Sequence, residues 1–270
     1  MDRITKALEL AREKRAAVGG GHAAALQPAV LAGDMTHGLV REVEISPEFL
    51  REQKVIAGFK DQPLADSYRL LRTRLLQRMR QNGWTTLGIT STAPNAGKTL
   101  TAINLGVAIA MDSNHSVLLV DVDLRKPDVH KVLGVTPEYG LVEYLTSNIS
   151  LADVLISPGI ERFVFLPCVE KTQGTSELLA TKKMAHLVAQ MKVQSPSRIV
   201  IFDLPPILVG DDVVAFSSNL DAVLIVVEDG KTDSRHLARA AELLDGTHLI
   251  GAVLNKSREP VAEHYGHYGY

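Results

Sequence analysis

Thr92-Ala93-Pro94-Asn95-Ala96-Gly97-Lys98-Thr99 decides the fold, because of what stands on either side of it. The apolar run Thr86–Ser91 before it reads as a short buried strand, and Lys98 to Met111 after it carries helical spacing. A strand that turns into a helix through such a loop gathers backbone N–H groups and the positive end of the helix dipole at one point, where phosphate groups bind. Pro94, Asn95, Ala96 and Gly97 then line the phosphates, with Leu100 in the first helical turn. Lys98 neutralises their charge, and the Thr99 hydroxyl is a candidate Mg²⁺ ligand. Gly97 lets the backbone approach closely. The strict loop pattern asks for glycine at position 92, where this chain has threonine.

Working outward, apolar runs recur at Val117–Val122, Phe163–Leu166, Ile199–Phe202, Ala222–Val227 and Leu249–Leu254, with helical stretches at Ser176–Lys192 and Thr232–Leu244. A further helix over Asp66–Asn82 sets Leu70, Leu71, Leu75, Leu76 and Met79 on one side and five arginines elsewhere, and Gly83 stops it. Strands alternating with helices predict an α/β fold with a doubly wound, mostly parallel sheet of the P-loop NTPase type. Two of the runs end in carboxylates, Asp121 and Asp123 after one and Asp203 after another. Ligands bind beyond the C-terminal ends of strands in such sheets, so the three carboxylates can converge on one Mg²⁺. Any one of them alone would serve equally as a helix cap or turn residue.

The chain of 270 residues divides into an N-terminal extension over 1–60, a nucleotide-binding domain over 61–256 and a tail over 257–270. Ile4, Ala7, Leu8 and Ala11 predict a short amphipathic helix over 1–17, and the glycine- and alanine-rich residues 18–38 a flexible linker. With 46% hydrophobic and 22% charged residues the chain has the composition of a protein that folds. A net charge of −2 provides no field for nucleic acid or an anionic membrane. Cys168, the lone cysteine, excludes an intrachain disulfide and reads as a small apolar filler. No run reaches the roughly 20 apolar residues that span a bilayer, and the first residues are too charged for a signal peptide, so a cytoplasmic location is expected. Three of the six tyrosines, Tyr265, Tyr268 and Tyr270, fall within the last six residues, interleaved with Gly266 and Gly269. His264 and His267 read as polar tail residues rather than metal ligands.

Leu118-Leu119-Val120-Asp121-Val122-Asp123-Leu124-Arg125-Lys126-Pro127 resembles the second acidic motif of the bacterial tyrosine kinases, and Phe202-Asp203-Leu204-Pro205-Pro206 resembles their third. The likeness runs from about Asp66 to the C-terminus. The amphipathic start also resembles the exosortase-associated tyrosine autokinases of exopolysaccharide loci. The resemblance implies an autokinase that uses ATP and Mg²⁺, with Lys98 and Thr99 on the phosphates, Asp121 and Asp203 on the metal, and Asp123 assisting the attacking tyrosine. It makes Asn255 a base contact and Tyr265, Tyr268 and Tyr270 the phosphate acceptors, with transfer between protomers. Asp66, Arg69 and Arg72 resemble the family's Glu-x-x-Arg-x-x-Arg oligomer contact, with Asp66 one methylene short; an exposed basic helix face reads equally well. Asn95 and Leu204 are further departures, standing where glycine and threonine are usual. The related partition and septum-positioning ATPases carry a lysine five positions before the loop lysine, where this chain has Ala93. Implied partners are other copies of the chain in a ring, the cytoplasmic segment of a membrane polysaccharide co-polymerase as activator and recruiter, and a phosphotyrosine phosphatase. An ATPase switch, or a nucleotide-responsive scaffold for polysaccharide export without tyrosine phosphorylation, is the alternative.

Overall fold

The computed structural model describes residues 40–60, 62–193 and 197–257. The amphipathic start, the linker and the tyrosine tail lie outside them. Eight strands form one sheet: β1 (Arg41–Glu42), β2 (Thr86–Ser91), β3 (Ser116–Asp121), β4 (Ile156–Ser157), β5 (Phe163–Leu166), β6 (Arg198–Asp203), β7 (Ala222–Glu228) and β8 (His248–Asn255). Their order is β1-β4-β5-β3-β6-β2-β7-β8, parallel throughout except where β4 meets β5. This is the doubly wound sheet expected from the alternation of strands and helices.

Ten helices cover it among the described residues: α1 (Pro47–Glu52), α2 (Pro63–Asn82), α3 (Lys98–Ala110), α4 (Val129–Val132), α5 (Leu141–Thr146), α6 (Leu151–Val154), α7 (Thr175–Leu179), α8 (Lys182–Val193), α9 (Asp212–Ser217) and α10 (Ser234–Leu243). Alternation along the central strands assigns the faces. Leu118 and Val120 of β3 with Val200 and Phe202 of β6 face α5, α8 and α9, and Cys168 is buried among them. Val117 and Leu119 with Ile199 and Ile201 face α2 and α3 on the other side. The helix expected over Ser176–Lys192 is interrupted, because Thr181 accepts the Met184 N–H at 3.2 Å through its hydroxyl and caps a second helix. Gly83 ends α2 in the left-handed conformation, at φ 68°.

Residues 50–57 pack into the second face, where Leu50, Val55 and Ala57 are buried. Asn104, buried on α3, fastens them: its Oδ1 accepts the Ile56 and Ala57 N–H groups at 2.8 and 3.0 Å, and its amide donates to the Lys54 carbonyl at 3.0 Å.

Asp221, just before β7, ties three segments together. Its Oδ2 accepts the Thr85 and Thr86 N–H groups at 2.9 Å each, and Oδ1 accepts Lys192 Nζ at 2.8 Å. Burial pushes this carboxyl up, but Lys192 and the two N–H donors outweigh it and hold its pKa below the ordinary 3.8. A depressed folded value contributes stability above the unfolded value and loses it as pH falls through the folded one. Asp221→Asn should therefore lower stability by about 1–2 kcal/mol near neutral pH. In urea titrations across pH, the gap to wild type should close as pH drops below about 4; a gap that held constant would refute the ionic origin.

Candidate active site

The site sits beyond the C-terminal ends of β2, β3 and β6. Asp121 and Asp203 are neighbours in the β3–β6 register, so two carboxylates end adjacent strands. β2 lies on the other side of β6 and feeds the phosphate loop into α3. The loop is pinned from below: Ser91 Oγ donates to the Ala93 carbonyl at 2.8 Å, and Thr90 Oγ1 donates to the Pro205 carbonyl at 2.6 Å. Two residues take left-handed backbone, Asn95 at φ 62° and Gly97 at φ 96°. At Gly97 the requirement is also steric, since a Cβ there would stand 2.1 Å from the Asn255 amide nitrogen.

Lys98 Nζ reaches Asp123 Oδ2 at 2.7 Å, Asp203 Oδ1 at 3.5 Å and Thr99 Oγ1 at 3.3 Å. Burial alone would pull the Lys98 ammonium down; Asp203 and Asp123 outweigh it and hold its pKa above the ordinary lysine range. Asp121 is fully buried, and burial, then Asp203, pushes it well above the usual carboxylate range against the Val129 N–H and Lys98. Burial also raises Asp203, against Lys98.

The two strand-end carboxylates are held differently. Asp121 Oδ1 accepts the Asp123 N–H at 3.2 Å, and Oδ2 accepts those of Asp128 and Val129 at 3.2 and 3.1 Å. Both oxygens of Asp203 are buried and receive no hydrogen bond of good geometry. The buried Asp203 oxygens face only Lys98, at 3.5 Å, and the Thr99 hydroxyl, and Asp121 ends the adjacent strand with lone pairs left beyond its backbone donors; carboxylates beside a hydroxyl suit a hard divalent cation, so Thr99, Asp121 and Asp203 fit Mg²⁺. Among the described residues no three His, Cys, Asp or Glu side chains converge to hold a metal by themselves. Such a cation would complete its shell with phosphate oxygens and water.

Pro94, Asn95, Gly97, Lys98, Thr99, Leu100 and Asp123 line one cavity of about 540 Å³, and Ala96 is buried behind it. Val132, Pro205, Pro206 and Val209 add apolar surface to its lining. Asn255, at the end of β8, is drawn to the loop, its amide donating to the Ala96 carbonyl at 2.8 Å. Asp66, Arg69 and Arg72 stand apart from this cavity on α2. Asp66 is exposed and pairs with Arg69, whose second nitrogen donates to the Phe59 carbonyl at 3.2 Å, while Arg72 donates to the Ala108 carbonyl at 3.1 Å.

Two features of the site were not foreseen. Arg125 Nε donates to Asp212 Oδ2 at 2.6 Å, and Thr175 Oγ1 donates to the other oxygen, which ties the second acidic motif to α7 and α9. Lys126 Nζ reaches back to Asn95 Oδ1 at 3.3 Å, and Lys256 Nζ donates to the Asn95 carbonyl at 2.7 Å. The Arg125-Lys126 pair, one residue beyond Asp123-Leu124, is the only hint of either.

Fold and site together define a P-loop nucleotide-binding protein, and residues 87–267 match the CobQ/CobB/MinD/ParA nucleotide binding domain family. The chain is 31% identical over 221 residues to the tyrosine-protein kinase YwqD of Bacillus subtilis (strain 168), covering 81% of this chain and 92% of that one. It is 26% identical to the tyrosine-protein kinase wzc of Salmonella typhimurium (strain LT2), covering 86% of this chain and 32% of that protein. The kinase domain of Escherichia coli tyrosine kinase ETK superposes with a TM-score of 0.68 at 26% identity, over 85% of this chain and 93% of that one. The chain belongs to the bacterial tyrosine kinases. Among the described residues no helix is long and apolar enough to cross a membrane.

Proposed function

We propose that the chain transfers the γ-phosphate of ATP to Tyr265, Tyr268 and Tyr270 of a neighbouring copy, as part of the control of exopolysaccharide synthesis and export. The convergence of Lys98, Asp123 and Asp203 at the mouth of the phosphate loop carries this reading. The loop amides and Lys98 bind and orient the phosphates, and positioning with charge neutralisation supplies most of the rate. Mg²⁺, when held by Thr99, Asp121 and Asp203, neutralises charge on the phosphate oxygens. A tyrosine hydroxyl with a pKa near 10 is protonated at neutral pH and gains from a carboxylate that accepts its proton. Asp123 is that carboxylate, since Lys98 turning to the phosphates frees its Oδ2. The apolar surface at Pro205, Pro206 and Val209 suits the tyrosine ring, and Asn255 borders the base end of the nucleotide.

Copies of the chain meet through α2, where Leu64 and Leu70 are exposed near Asp66, Arg69 and Arg72. A cytoplasmic segment of a membrane polysaccharide co-polymerase activates the chain and recruits it to the inner membrane face, and a phosphotyrosine phosphatase reverses the modification. The test is incubation of the full chain with γ-labelled ATP and Mg²⁺, alongside a variant with all three tail tyrosines changed to phenylalanine. Label on the tail, lost in that variant, is the expected result. ATP binding without tyrosine label, even with a bound activator segment, would replace this reading with a switch or scaffold.

A further inference from the structure

We infer that Lys126 is a second cation of the phosphate site, contacting the γ-phosphoryl group in flight and not the phosphates that stay with ADP. The inference rests on the phosphotransfer reading above. Lys98, Arg125, Lys126 and Lys131 all line the nucleotide cavity. Three of them are committed at short range: Lys98 to Asp123 at 2.7 Å, Arg125 to Asp212 at 2.6 Å and Lys131 to the Pro127 carbonyl at 2.6 Å. Lys126 is not. Its ammonium stands 3.3 Å from Asn95 Oδ1 and 3.5 Å from Asp128 Oδ2, both long for a charged donor, and 58% of its side chain is exposed.

The Lys126 backbone, by contrast, is fixed. Its N–H donates to Asp123 Oδ1 at 2.9 Å, so the residue is anchored to the carboxylate that accepts the tyrosine proton. From there its side chain crosses to the mouth of the phosphate loop. Asn95 is a defined point to reach, since Lys256 Nζ holds its carbonyl at 2.7 Å. Exchanging the neutral amide oxygen of Asn95 for an anionic phosphate oxygen trades a weak hydrogen bond for a charge-assisted one. Lys98 comes from the loop's own helix and Lys126 from the turn that follows β3, so the two approach the transferred group from different segments.

In that step the tyrosine Oη forms a bond to Pγ as the bond from Pγ to the bridging oxygen breaks. The electron pair of the broken bond leaves on the β-phosphate of ADP, and the tyrosine proton passes to Asp123. Lys126 meets charge on the γ-oxygens, which ADP lacks, so its removal separates the two nucleotides.

The experiment compares wild type with Lys126→Met and Lys126→Arg in the full chain. It measures calorimetric affinity for ADP and for a non-hydrolysable ATP analogue, both with Mg²⁺, together with tail labelling at saturating ATP. Lys126→Met should bind the analogue and transfer phosphate about tenfold to a hundredfold less well, with ADP affinity within about twofold of wild type. Lys126→Arg should restore most of both losses. Equal weakening of ADP and analogue would make Lys126 a prop for the loop and overturn the inference, as would no change in either. A wild-type chain that binds nucleotide without labelling tyrosine would instead sink the phosphotransfer reading, and the contrast between ADP and analogue would still judge the contact.

Discussion

Lys98→Met should abolish tail phosphorylation, by about a thousandfold or more, and should also leave a protein whose stability falls more steeply with rising pH than the wild type's. The first effect follows from position. Lys98 is the cation carried by the phosphate loop itself, at the N-terminus of α3, and that helix holds no other cationic side chain. The second follows from what Lys98 touches. Its ammonium lies between Asp123 and Asp203, and its field also reaches Asp121. Without it three buried carboxylates face one another, and removing one partner from a buried ionic cluster costs about 3–5 kcal/mol. Asp121 and Asp203 already have raised values in the folded state, and losing Lys98 raises them further. A carboxyl whose folded pKa exceeds its unfolded one contributes stability below the unfolded value, and that contribution is lost as pH rises through the folded one. The Tm of Lys98→Met should therefore fall behind wild type increasingly from about pH 4 upward. A deficit independent of pH would mean that Lys98 acts through packing alone.

The centre of this molecule is written plainly in its residues, and its margins are not. β2, the loop and α3 are legible because an apolar run, a Gly-Lys-Thr turn and a helical period follow one another without interruption. β3 and β6 are equally legible, each a run of buried residues ending in aspartate. β1 has only Arg41 and Glu42, both exposed, so nothing in its pattern announces a strand; it exists because β4 offers it an edge. The break before α8 turns on one hydroxyl of Thr181, which a helical period cannot see. The arginines of α2 show the same limit. Their helix is evident, but that Arg72 ends on Ala108 and Arg78 on the Ile250 carbonyl depends on packing between distant segments. Asp121, Asp123 and Asp203 are legible as candidates because they stand at or just past strand ends, where ligands bind in this fold. Lys126 and Asn104 were passed over, one in a motif already explained by its aspartates and the other a lone polar residue in an apolar helix.

Asp203→Asn and Asp121→Asn should both lose Mg²⁺-dependent transfer, yet move the stability of the nucleotide-free protein in opposite directions. They end neighbouring strands, are both fully buried and have the same charge, so their hydrogen bonds make the difference. Asp203 receives none of good geometry, and its charge adds to that of Asp121 and Asp123 in a pocket where Lys98 is the cation in contact. Neutralising it removes repulsion and a desolvation cost, and Lys98 keeps Asp123 at 2.7 Å. A gain on the order of 1 kcal/mol is expected, a rise in Tm of about 2–4 °C for a chain of this length. Asp121 uses both oxygens to accept three backbone N–H groups. An asparagine there has one acceptor oxygen and an NH₂ that must face an N–H donor, which costs about 1–3 kcal/mol and outweighs the relief of charge. Its Tm should fall by several degrees. Thermal unfolding of the two variants, with and without ATP and Mg²⁺, decides the matter. Wild type should gain stability from the nucleotide with its cation, and neither variant should recover that gain. If Asp203→Asn is destabilised as much as Asp121→Asn, the buried Asp203 carboxylate is not a source of strain, and the case for a cation held there loses its physical basis.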